Sequence, residues 1–233
     1  MITANIIYRV FRIKCGNESG TAFAIDVDGR QYLATAKHVL DGYSGSDSVE
    51  IYANGGWQDL KTEKVGDAGG DVDVSVLATP NQLTPPRPFP LPPDSDGIVY
   101  GQDAFFLGYP YGLMSKFSLG TSEGGYPLPL VKRALVSSFE GGVFLLDGHN
   151  NPGFSGAPVV FKPQGVGEFK VAGIISGYKS VTAPIFSGAD ETPFSHQVNT
   201  GIIVSYDIKH AVELAKANPI GCVLQTNGTE AAS

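Results

Sequence analysis

The chain has 233 residues and a formal net charge of −7, with 30 glycines, 16 prolines and only 17% charged residues. It carries no cluster of Lys and Arg, which argues against nucleic acid or an anionic membrane as a partner, and no apolar run reaches membrane-spanning length. This balance favours many short strands joined by tight turns over long helices, so the expected class is all-β.

Residues 1–5 (MITAN) lack the basic and apolar regions of a signal peptide, which predicts a cytoplasmic protein unless a leader was removed. Cys15 and Cys222 lie near opposite ends with no CxxC or CxxH spacing, so neither a metal site nor a redox pair is indicated. They read as two buried small apolar residues, or as a disulfide if the protein is exported.

In chain order, residues 6–14 alternate polar and apolar and predict a first strand. Two more strands, residues 21–27 and 31–35, flank Asp28-Gly29, a hairpin signal. A short helical turn is expected after Ala34-Thr35-Ala36, where small residues leave room for the imidazole of His38. Residues 49–53 and 57–65 form the next strands around Asn54-Gly55-Gly56. Asp71 and Asp73 open an alternating strand that runs to Leu77, and an acid at the mouth of a buried strand is costly unless it has partners. Proline is dense enough over residues 80–97 to forbid a regular element, so this stretch divides an N-terminal lobe, residues 1–90, from a second lobe, residues 91–206. The second lobe has strand patterns at 98–109, 131–139, 143–146, 157–161, 171–175 and 202–205. Residues 207–218 have helical periodicity ended by Pro219-Ile220-Gly221, so residues 207–233 are a C-terminal helix and tail.

The chemistry centres on residues 149–158 (HNNPGFSGAP). A serine with glycine at −2 and +1, leading into Ala157-Pro158 and an apolar run, is a tight turn that pushes one hydroxyl outward. Gly153 and Ser155 could aim two backbone N–H groups at an oxygen beside that hydroxyl, as an oxyanion hole does. A serine hydroxyl is a poor nucleophile without a base, itself oriented by an acid. His38 is a candidate base, and Asp71 and Asp73 are candidate acids.

Three separated segments resemble, in order, the signatures of the trypsin-like serine peptidases. Residues 20–25 (GTAFAI) with 34–40 (ATAKHVL) resemble the family's histidine block, residues 73–77 (DVSVL) its aspartate block, and residues 151–158 (NPGFSGAP) its serine block. Residues 105–110 (FFLGYP) and 171–177 (VAGIISG) resemble strands of the second barrel. The likeness is closest to the bacterial high-temperature-requirement (HtrA/Deg) branch, without room for its PDZ domain. The resemblance implies two six-stranded antiparallel β-barrels with a C-terminal α-helix, and a serine endopeptidase working without metal or cofactor on a protein or peptide substrate. It implies Ser155 as nucleophile, His38 as base, Asp73 rather than Asp71 as the orienting acid, and Gly153 and Ser155 as the oxyanion hole. It further implies His149 and Asn150 near the primary pocket, Ser176-Gly177-Tyr178 as the strand that pairs with substrate, and Ser176 as a hydrogen-bond donor to Asp73. No aspartate stands at the pocket base, which disfavours cleavage after Lys or Arg; Tyr178 at the pocket mouth would favour small or medium apolar side chains, and a protonated His149 would favour acidic ones. Phe154 replaces the aspartate that captures a new N-terminus in trypsin-type zymogens, so no such activation switch is expected. Two rivals remain: a silent peptide-binding module on the same fold, and a serine esterase.

Overall fold

The computed structural model describes residues 1–43, 48–86, 89–117 and 126–225. Arg87 and Pro88 of the proline-rich connector, and the tail from residue 226 onward, lie outside the described residues.

The chain enters through a single helical turn, α1 (Ala4–Ile7), and then β1 (Val10–Cys15). The strand expected from residue 6 thus starts four residues later. Ile6 is buried in the core beneath α1, so its apolar spacing reflects a turn of helix. Arg9, at the joint, is fully buried and pairs with Asp26 at 2.7 Å, while its other nitrogen contacts reach the Ala24 and Phe89 carbonyls.

β2 (Glu18–Val27) and β3 (Arg30–Thr35) form the expected hairpin. Asp28 and Gly29 take the left-handed conformations, φ 49° and 76°, that match a tight turn to the twist of the strands. A 3₁₀ turn, Lys37–Leu40, carries His38. Next come β4 (Ser48–Ala53) and β5 (Gly56–Lys61), then β6 (Glu63–Asp67) and β7 (Ser75–Ala78). The single strand expected over residues 57–65 is broken at Thr62, whose carbonyl takes a hydrogen bond from the Tyr43 hydroxyl at 2.9 Å. This break supplies one of the two strands beyond the six expected in the first lobe, which runs β5-β4-β1-β2-β3-β7-β6 and takes an eighth strand, from the C-terminal segment, beside β3.

In the second lobe the strands are β8 (Asp103–Gly108), β9 (Ser115–Phe117), β10 (Tyr126–Leu128), β11 (Leu130–Glu140), β12 (Val143–Asp147), β13 (Pro158–Phe161), β14 (Lys170–Ser187) and β15 (Asp190–Asp207). Six of them close a barrel in the order β11-β12-β15-β14-β13-β8, and β9 pairs with β10 apart from it. β14 and β15 are far longer than the expected 171–175 and 202–205, because the hairpin continues beyond the barrel. α2 (Lys209–Ala217) and a final strand, β16 (Cys222–Val223), return to the first lobe, where β16 pairs with β3. Cys15 and Cys222 are not joined in a disulfide.

Two lobe interiors and a third apolar layer hold these elements together. Ala22, Ala24, Leu33 and Leu77 face into the first lobe, whereas their neighbours Phe23, Tyr32, Ala34 and Val76 face outward. That outer face is not wet. It is covered by Ile208, Ala211 and Ala215 at the start of and along α2, and by Leu107, Val160 and Ile174 of the second lobe. Strands buried on both faces read as apolar runs rather than as clean alternation, as residues 20–25 do. The architecture is chymotrypsin-like: two packed β lobes with a C-terminal helix.

Candidate active site

His38 and Asp73 meet because both stand where a strand stops or starts. The 3₁₀ turn after β3 presents His38, and the loop entering β7 presents Asp73. The His38 ring nitrogen Nδ1 lies 2.7 Å from Asp73 Oδ2, and the His38 backbone N–H donates to Asp73 Oδ1 at 3.0 Å. A third donor, the Ser176 hydroxyl, reaches Asp73 Oδ2 at 2.6 Å from the other lobe. The desolvation problem of this carboxylate is thereby answered. Burial pushes its pKa up, but the hydrogen bonds from His38 and Ser176 outweigh that and hold it below the usual carboxylate range. The hydrogen bond to Asp73 in turn raises the His38 pKa against the opposing effect of burial. Asp71, the competing acid, takes no part in this contact; its carbonyl accepts the Tyr206 hydroxyl at 2.8 Å, tying the aspartate loop to β15.

Ser155 completes a continuous chain of contacts. Its hydroxyl donates to the Ser176 carbonyl at 3.2 Å, and among the described residues no hydrogen bond joins it to His38. The loop around it is fixed from three sides. Gly156 N–H donates to Ile175 O at 2.7 Å, Ala157 N–H to Phe154 O at 2.8 Å, and Thr21 N–H to Ser155 O at 2.8 Å. The Gly153 and Ser155 N–H groups have no partner among the described residues. The Pro152–Gly153 peptide is set by Tyr111, whose N–H donates to Pro152 O at 2.8 Å. A planar trans peptide points its N–H opposite to its C=O, so this bond turns the Gly153 donor away from Tyr111. Gly153 itself has φ +102°, and a Cβ there would fall 2.4 Å from Tyr109 O, which leaves glycine as the residue that fits.

The remaining expected residues fall around this centre. Asn150 is buried, with its carbonyl accepting the Asn199 side-chain N–H at 2.7 Å. His149 is exposed, and its carbonyl accepts the Lys132 ammonium, which also reaches Asn151 Oδ1 at 3.1 Å. Gly177 and Tyr178 continue β14 beyond Ser176. Phe154 is fully buried, edge to face with Phe106 at 4.8 Å between ring centroids; it fills the second barrel's core.

The model of the trypsin-like peptidase domain matches residues 20–166, which carry His38, Asp73 and Ser155. The chain belongs to the trypsin-like peptidase family. Among solved structures, the peptidase fold of this chain resembles the HtrA-type protease AlgW with a bound tripeptide (TM-score 0.56, 22% identity, covering 92% of this chain and 62% of that one). It also resembles a serine endoprotease from Yersinia pestis (0.54, 18%, 93% and 67%) and Rv3671c from M. tuberculosis in an inactive serine-to-alanine form (0.54, 20%, 99% and 92%). The chain thus spans a little over three-fifths of AlgW. No curated protein matches it.

Thr21 is one of the residues whose part in this site the sequence does not announce. Fully buried on β2, its hydroxyl donates to Gly153 O at 2.8 Å and accepts from Tyr109 N–H at 3.2 Å. It thus pins two loops of the second lobe to the first. It stands in the histidine block, but nothing in the spacing says that its hydroxyl serves the serine loop. Thr21→Val keeps the shape and strands both partners, so a stability loss of about 1–3 kcal/mol is expected, read from the urea midpoint. An unchanged midpoint would remove Thr21 from the account.

Proposed function

We propose that the chain is a serine endopeptidase in which Ser155 attacks the scissile carbonyl, His38 takes its proton and delivers it to the leaving amine, and Asp73 holds the imidazole tautomer. The observation that carries this reading is the set of hydrogen bonds that joins His38 to Asp73 and Asp73 to Ser176, at 2.7 and 2.6 Å, beside the Ser155 loop. With Nδ1 engaged by Asp73, Nε2 is left to act as the base. The unpaired Gly153 and Ser155 N–H groups suit a tetrahedral oxyanion, each such donor being worth roughly 3–4 kcal/mol where measured elsewhere.

One observation favours the silent-module alternative: the Ser155 hydroxyl rests on the Ser176 carbonyl instead of on His38. The chemistry supplies a way out of this rest. A substrate strand pairing with β14 offers its own N–H to the Ser176 carbonyl, and rotation about the Ser155 Cα–Cβ bond then frees the hydroxyl for His38. The test is incubation with an unfolded protein, fragments being read by mass spectrometry. New termini that vanish with Ser155→Ala support the peptidase; intact substrate that nonetheless stays bound supports the module.

The direction of the His38 shift sets the pH dependence. A base must be neutral to accept a proton, and its raised pKa moves the acid limb of kcat/KM above about 6.5, the ordinary imidazole value. Activity should therefore climb as pH rises through that limb. Asp73→Asn, which removes the main cause of the shift, should move the limb to lower pH in its residual activity. A limb below pH 6 in the unmodified protein would contradict the role given to Asp73.

A further inference from the structure

β14 and β15 outrun the barrel that they help to close. β13 pairs with β14 only as far as Pro158–Ile174 and β12 with β15 only from Asp147–Ile202, whereas β14 and β15 stay paired with each other out to Ser187–Asp190. Among the described residues no other strand joins this outer ribbon, and it lies outside residues 20–166, the matched family segment. A two-stranded ribbon standing in water is poorly supported by itself.

The two faces of the ribbon differ. Directly opposed residues share a face and successive residues alternate between faces. Val181 stands opposite Val198 and Ala183 opposite His196, so one face takes the odd-numbered residues of β14 and the even-numbered residues of β15. Ile185 and Phe194 belong to it by the same alternation, as do Ser187 and Asp190, the last pair. On this face Val181, Ile185 and Phe194 are 54, 39 and 68% exposed. The opposite face is polar: Ser180 stands opposite Asn199, and the Gln197 side chain donates to Thr182 Oγ1 at 2.9 Å, with Phe186 near the tip as its one large apolar residue. A contiguous apolar face left in water marks an interaction surface, and its charges say what fits it. Lys179 lies at the barrel end of the apolar face and Asp190 at its tip. Along β14, Lys179 and Ser187, the residue beside Asp190, are each four positions from Ala183, or about 13 Å at roughly 3.3 Å per residue. The face is therefore complementary to itself turned end for end.

We propose that this face is the interface of a homodimer, in which a second copy of the chain packs its own ribbon face to face and antiparallel on the first. A two-fold axis crosses the ribbon at Ala183 and His196. It sets Lys179 of each copy beside Asp190 of the other, Val181 against Ile185, and Val198 against Phe194. Such an interface is isologous, the same patch serving both copies, and sheets stacked in this way keep their strands within about 30° of each other. The apolar side chains cover one another in the middle and the two ion pairs close the ends. Five residues from each strand make a small contact beside a standard interface of about 20–30 residues a side, so the dimer is a reversible one that forms in the micromolar range. The proposal does not depend on the peptidase reading above.

The experiment is sedimentation velocity on the Ser155→Ala chain, chosen so that concentrated samples do not digest themselves, from low to several hundred micromolar at low ionic strength. A monomer that gives way to a dimer as concentration rises is expected. Val181→Asp should weaken the dimer at least about tenfold, and so should Lys179→Glu or Asp190→Lys alone, because the two-fold makes each change act twice. Lys179→Glu combined with Asp190→Lys should restore the dimer, which damage to folding would not do. Thr182→Asp, on the opposite face, should leave it unchanged. A monomer at every concentration overturns the proposal, whether the chain then holds an unfolded polypeptide through Val181 and Phe194 or holds nothing. A dimer that Val181→Asp leaves intact overturns it too, as does one that both single charge reversals weaken but the double reversal fails to restore.

Discussion

Ser155→Ala is expected to lower peptide-bond hydrolysis by about six orders of magnitude, the scale on which loss of a nucleophile acts when base and acid work only through it. Asp73→Asn should cost on the order of 10⁴-fold, because the His38 proton is then held on the wrong nitrogen. The two variants differ in a second way. Removing the Ser155 hydroxyl leaves its loop held by the Thr21, Ile175 and Phe154 backbone contacts, so the urea midpoint should hardly move. Asp73→Asn replaces an acceptor of three hydrogen bonds, from the His38 ring, the His38 N–H and the Ser176 hydroxyl, so it should lower stability as well. Steady-state turnover of an unfolded protein, measured beside denaturation, separates the two effects. Full activity in Ser155→Ala would sink the assignment outright.

The second large effect is on folding. Gly156 has φ +83°, and a Cβ there would fall 2.0 Å from Thr21 O and 2.3 Å from Thr35 Oγ1. Both atoms belong to strands of the first lobe, and Thr35 Oγ1 already donates to Thr21 O at 2.8 Å, so neither can step aside cheaply. Gly156→Ala combines left-handed strain with overpacking, each worth about 1–3 kcal/mol, and a loss of at least about 3 kcal/mol is expected. Gly167→Ala is the control: a Cβ there meets nothing within 4 Å, and its midpoint should shift by no more than about 0.5 kcal/mol. A Gly156→Ala protein as stable as this control would mean that the lobes do not meet at the serine loop as described.

The parts of this molecule that were legible in the sequence are those with a local cause. Asp28-Gly29 announces its hairpin because φ > 0 is needed at both turn residues. The helix after residue 207 follows from the spacing of Ile208, Ala211, Val212 and Leu214, of which the first two are buried and the others partly buried against the core. His38 and Ser155 stand at strand boundaries with small residues beside them, whereas Asp73, between Val72 and Val74, is singled out from Asp71 only by the resemblance of residues 73–77 to the family's aspartate block; the structure brings all three within one set of contacts with Ser176. Other features have no such local signature. α1 was hidden because Ile6 satisfies a strand pattern and a helical turn equally well. The distal part of the β14–β15 hairpin was missed because it is exposed on both faces, and a strand that buries neither face carries no burial period to read. Thr21, Tyr111 and Tyr206 act through hydroxyl or backbone contacts across 132, 41 and 135 residues of chain, to Gly153, Pro152 and Asp71 respectively, and no spacing rule links such pairs.

The central claim is that Ser155 is an activated nucleophile, and the most direct measurement is reaction of the native protein with a fluorophosphonate, the adduct being located by peptide mass spectrometry. Such probes require a serine whose base and oxyanion donors are already formed. Stoichiometric modification of Ser155, lost on heat denaturation and in Asp73→Asn, is the expected result. A native, folded protein whose Ser155 stays unmodified at pH 8 would contradict it.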